Sequence, residues 1–190
     1  MQYQAQRRNI SVTQPARFKM RQKYIESLLI LALFFHLQWF FGNFYEEILI
    51  PNQIVASIRQ LNEYNRFFCI TQPVYYYVPL TQIGFLITLF LAFVRSDLHP
   101  ATTRLIRWAA TTSLAAIALT FYIVTQYNLK MFFGDVDRFG EHIHALYLQW
   151  AMLNGVRIIL VGVTVTFLAM AYRRFLIGRN TGEEKVTTSN

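Results

Sequence analysis

Residues 146–172 read LYLQWAMLNGVRIILVGVTVTFLAMAY, a run in which Arg157 is the only charged side chain. A hydrocarbon layer of roughly 30 Å is crossed by about 20 helical residues. Lipid admits only helices or closed barrels, because backbone N–H and C=O groups have no water to turn to there. The run has no alternation of apolar and polar residues, so it reads as a spanning helix. Working outward, residues 25–50, 74–94 and 105–127 are apolar on the same scale. The sequence therefore predicts an all-α integral membrane four-helix bundle, up-down-up-down, with residues 25–172 as the transmembrane domain.

Composition agrees. Of the 190 residues, 54% are hydrophobic and 15% charged, against about 25% charged in an average soluble domain. The net charge of +8 raises nucleic acid as a partner, so the position of the charges has to decide. Arg7, Arg8, Arg17, Lys19, Arg21 and Lys23 lie in the leader, residues 1–24; Arg95, Arg104 and Arg107 lie around the second connection; Arg173, Arg174, Arg179 and Lys185 lie in the tail, residues 173–190. The other two connections carry Glu63, Asp135, Asp137 and Glu141 beside four basic residues. Basic loops stay on the cytoplasmic side, so the pattern predicts a multi-pass protein of the cell membrane with both termini cytoplasmic. Topology thus accounts for the basic balance, and nucleic acid is not expected as a partner.

A cleaved signal peptide fits the first run poorly: the leader is long, the apolar run exceeds an h-region, and no small-x-small cleavage pattern follows. Cys69 is the single cysteine, which excludes an internal disulfide and any multi-thiolate zinc site. In the first outer connection Ile54, Val55, Ile58 and Leu61 recur at helical spacing and predict a short interfacial helix. Tyr75, Tyr76 and Tyr77 stand where an interfacial aromatic belt is expected.

Polar groups inside lipid are costly unless they face the bundle interior. At about 1.5 Å rise per residue from the cytoplasmic anchors, His36, Gln82, Thr120 and Arg157 fall in one layer. Asn43, Tyr127, Asn128 and Asn154 fall in a second, nearer the outer surface. His36, Trp39, Asn43, Glu46 and Glu47 share one face of the first span, and Trp150, Asn154 and Arg157 share one face of the last. The third presents Ala109, Ser113, Ala116, Thr120 and Tyr127, a largely small-residue stripe that admits a close neighbour. The convergence predicts a small-molecule pocket in the outer half. Structural alternatives stand beside it: Arg157 as a snorkelling group or a clamp on Glu46 or Glu47, His36 as a satisfied core histidine, Gln82 and Thr120 as interhelical hydrogen bonders, and Trp39 and Trp150 as packing. No metal is expected. His142 and His144 are the weak metal candidates, since residues two apart on a helix point to different sides.

The TQYNL segment, residues 125–129, together with Trp150, Asn154 and Arg157 in WAMLNGVRIIL and the GNFYEEILIP stretch at residues 42–51, resembles the DUF1772, or anthrone oxygenase-like, family of four-span membrane proteins. The long first outer connection departs from it. The resemblance implies a membrane-embedded oxygenase acting on a flat aromatic such as an anthrone, with no flavin, haem or nicotinamide. It implies His36, Glu46 or Glu47 as the base, Arg157 and Asn154 steadying an oxyanion, and Trp39, Trp150 and Tyr127 stacking on the rings; the polar layers add Asn43, Gln82, Thr120 and Asn128 as substrate-site candidates. The non-enzyme alternative is a small-molecule or lipid-binding protein, a transporter subunit or a scaffold. A homo-oligomer is compatible with either.

Overall fold

A computed structural model describes residues 14–54, 58–67, 74–93, 98–132, 138 and 142–187, and among these it is helical, with no strand. Four long helices, α1 (Gln14–Ile54), α3 (Val74–Phe93), α4 (Pro100–Ile123) and α6 (Ile143–Thr187), pack side by side. The short helix α2 (Ile58–Phe67) lies in the first connection and carries Ile58 and Leu61 of the expected interfacial helix, whereas Ile54 ends α1. Val55, Cys69, Asp135, Asp137 and Glu141 lie outside the described residues.

Among the described residues three helical stretches are long and apolar enough to cross a membrane: Gln22–Ile48, Pro100–Met131, which continues past α4, and Ile143–Arg179. The fourth expected span is shorter in its apolar part. α3 has 20 residues, but its apolar part among the described residues is Val78–Phe93. Pro79 stands inside α3 and supplies no N–H to the preceding turn. The Thr81 hydroxyl donates to the Val78 carbonyl at 2.8 Å.

α1 and α6 extend at both ends beyond the apolar runs at residues 25–50 and 146–172, and α4 begins before the run at residues 105–127. α6 continues beyond Tyr172 because the helical period persists there: Ala171 and Phe175 are buried against Ile25, Leu29, Leu91 and Ile106, while Arg173 and Arg174 face outward. Arg179 then donates from Nη1 to Glu26 at 2.6 Å, tying α6 to α1. The N-terminus of α4 is set by Pro100 in its first turn and by His99, whose Nδ1 accepts from the Ala101 N–H at 3.2 Å. Proline suits that place because its missing N–H would have no partner there anyway.

The C-terminal end of α4 widens. Residues Val124–Asn128 form a π-helical turn, in which the Leu129 N–H reaches the Val124 carbonyl, before the short helix α5 (Leu129–Met131). Such single turns often occur at functional positions. Here the turn keeps Ile123, Tyr127 and Met131 buried against Ile143, Tyr147 and Trp150.

α1 and α3 approach closely at Gly84. A Cβ there would lie 2.8 Å from the Phe35 Cβ and 3.3 Å from the His36 Nδ1, so α1 and α3 meet through a missing side chain. Gly84→Ala is expected to cost about 1–3 kcal/mol through overpacking, read as a lowered midpoint of thermal unfolding in detergent. Gly155→Ala, with no atom near its would-be Cβ, should leave the midpoint unchanged.

Candidate functional site

Two polar clusters and one cavity occupy the region where the sequence places its layers. His36 anchors the first cluster. Its ring is fully buried, with Nδ1 2.8 Å from the Ala32 carbonyl and Nε2 2.9 Å from the Ser113 hydroxyl. A carbonyl only accepts, so Nδ1 donates; the neutral ring then accepts the Ser113 O–H at Nε2. Both ring nitrogens are thus engaged within the bundle, joining α1 to α4. Thr112 and Thr164 add a hydroxyl pair between α4 and α6 at 2.7 Å.

The second cluster centres on Arg157, 3% exposed. Its Nε donates to the Asn154 Oδ1 at 3.0 Å, and its Nη2 donates to Asn154 and, at 3.4 Å, to Glu46. Asn154 turns its amide nitrogen to α1, donating to Glu47 at 2.5 Å and to the Asn43 carbonyl at 3.5 Å. The sequence logic is visible: Asn154 and Arg157 are three apart on one face of α6, and Asn43, Glu46 and Glu47 are three and four apart on one face of α1. Neither side-chain atom of the buried Asn43 meets a hydrogen-bond partner among the described residues.

Beside this cluster lies a cavity of about 440 Å3, within the range of small-molecule sites. Its walls come from α3 (Val78, Thr81, Gln82, Phe85, Leu86) and from α4 with its π turn (Ile117, Thr120, Phe121, Val124, Asn128), and Trp39 and Arg157 reach it from α1 and α6. The lining is mostly apolar. Four helices contribute, and Trp39, Gln82, Thr120, Asn128 and Arg157 of the sequence candidates meet there. His36, Asn43, Glu46, Glu47, Tyr127, Trp150 and Asn154 do not line it.

These others have structural partners. Trp150, 1% exposed, donates from Nε1 to the Asn128 Oδ1 at 2.8 Å and stacks on Tyr147 with ring centroids 6.3 Å apart. That bond fixes the Asn128 amide at the cavity edge. Tyr127 donates to Gln149 at 3.2 Å. Thr120 donates to the Ala116 carbonyl at 2.8 Å, which leaves its oxygen able to accept. His142 and His144 are exposed, and no group of three or more His, Cys, Asp or Glu side chains that could hold a metal occurs among the described residues.

Sequence reasoning missed the apolar walls, Val78, Phe85, Leu86, Ile117, Phe121 and Val124, because a cavity-lining apolar residue and a lipid-facing one look alike in a spanning helix. It placed Ser113 on the small-residue stripe, four residues from Ala109 and three from Ala116, but did not foresee its hydrogen bond to His36. No family model matches the chain, and no curated protein or solved structure is significantly similar to it.

Proposed function

We propose that the chain is a multi-pass membrane protein that holds a flat, lipophilic molecule in the cavity between its four helices and, as the family resemblance implies, oxidises it with O2 without a bound cofactor. The helices run up-down-up-down with both termini cytoplasmic, which puts the cavity in the outer half. Contacts along the bundle support this topology: residues near position 25 of α1 meet Leu91, Ile106 and Phe175, whereas residues further along α1 meet Gly84, Ser113 and then Arg157.

The observation that carries the binding reading is Arg157, a buried cation at the inner edge of a largely apolar cavity. Among the described residues its hydrogen bonds use Nε and Nη2, and Nη1 is the donor offered to a ligand oxygen. A charge-assisted hydrogen bond of that kind is about twice as strong as a neutral one, and Trp39 supplies a flat surface beside it. In the oxygenation reading, Glu46 or Glu47 takes a proton from the CH2 of an anthrone-like ring, and the carbanion adds O2. The resulting peroxide is protonated, then loses water. One CH2 and one O2 become one C=O and one H2O.

A second reading, binding without turnover, is favoured by the placement of the bases. Glu46 and Glu47 sit behind the cavity on Arg157 and Asn154, and both ring nitrogens of His36 are engaged. Dithranol, a hydroxylated anthrone, added to the protein in lipid nanodiscs separates the two. Dithranol-dependent O2 uptake above that of empty nanodiscs is the expected result for the oxygenase. Saturable binding without uptake selects the second reading, and neither uptake nor binding contradicts both.

A further inference from the structure

The cavity has walls of unequal kind. Trp39 and Arg157 at its inner side are 1% and 3% exposed, whereas Leu86 on α3 and Phe121 on α4 are 59% and 72% exposed, and Gln82 beside them is also exposed. All of these residues line the same cavity. Its open side therefore lies between α3 and α4, with Leu86 and Phe121 at the rim.

The depth of that rim decides what it faces. Phe121 lies within the apolar stretch Pro100–Met131 and Leu86 within Val78–Phe93. Leu86 is eight residues from the start of that stretch, about 12 Å along the helix, and Phe121 is ten residues from the end of its own, about 15 Å. Both are about two to three turns from the ends of their apolar stretches, at the level of acyl chains. The exposed rim side chains are apolar apart from Gln82, as suits lipid contact.

We infer that the cavity takes its ligand sideways from the bilayer, through the slot between α3 and α4: a lipophilic molecule dissolved among the acyl chains enters with its oxygen-bearing end leading towards Arg157. This rests on the binding reading above and specifies the ligand as one carried by lipid. The energetics favour the route. A molecule with a large apolar area gains most of its transfer free energy on partitioning, roughly 25 cal/mol per Å2, so its reservoir is the membrane. Arg157 then offers a charged donor in surroundings where few others exist.

The test uses benzophenone, a diaryl ketone whose irradiated carbonyl inserts into nearby C–H bonds, in two forms: free, and as the end of one acyl chain of phosphatidylcholine. Protein in vesicles is irradiated with each, and labelled peptides are mapped by mass spectrometry. Trp39 is the readout, because a chain passing over the outside of the bundle cannot reach it. Sideways access predicts that the tethered form labels Trp39 as the free form does, and that Leu86→Trp, which narrows the slot, lowers tethered labelling of Trp39 at least fivefold while labelling at the exposed Phe93 is unchanged. Labelling of Trp39 by free benzophenone alone would overturn the sideways route and leave the binding site standing. Failure of both forms to label Trp39 would remove the binding site as well.

Discussion

Arg157→Leu is expected to destabilise the bundle by about 3–5 kcal/mol, the usual cost of stripping one partner from a buried ion pair. The geometry explains why the loss is so large. One guanidinium bonds Asn154 through two nitrogens and Glu46 through one, and Asn154 in turn holds Glu47 and the Asn43 carbonyl. Removing the cation leaves two carboxyl groups of α1 facing a face of α6 that offers only an amide. The penalty belongs mostly to the charges left behind, so adding Glu46→Gln to Arg157→Leu should recover half or more of the stability. Thermal unfolding of the parent, the single and the double variant in the same detergent measures this. Equal midpoints for parent and single variant would show that the cluster contributes little to stability.

Filling the cavity is expected to act on function instead. Thr120→Trp places an indole among Gln82, Phe121 and Arg157, where the threonine is half-buried and its neighbours border open volume. Dithranol affinity should fall at least tenfold, about 1.4 kcal/mol, with the unfolding midpoint within a few degrees of the parent. Thr120→Val keeps the volume and removes only the hydroxyl, so it should retain most of the affinity. Equal loss in both variants would assign the effect to the hydroxyl rather than to the space.

The sequence made some of this legible and left the rest dark for identifiable reasons. The apolar runs around Ala32, Ala109 and Val161 announce helices by length and by the absence of alternation. Rise per residue was enough to bring Gln82, Thr120 and Arg157 to one level, and these three do line one cavity with Trp39 and Asn128. Rise cannot tell whether a ring that reaches that level faces a void or a neighbour. His36 shares the depth but is enclosed by Ala32, Ser113 and the Gly84 approach, a difference set by side chains on two other helices. The π turn at Val124–Asn128 is similarly silent in a sequence pattern, yet it carries Asn128 to the cavity edge. The length of α6 is hard to read from sequence because Arg173 and Arg174 resemble a stop, while the buried positions Ala171 and Phe175 keep the helical phase.

The cavity is expected to hold one small molecule per chain against Arg157. Native mass spectrometry of the protein released from nanodiscs after anaerobic incubation with dithranol tests it most directly. The prediction is a single added dithranol per chain in the parent and none in Thr120→Trp. An unliganded parent, or equal uptake by both proteins, would contradict it.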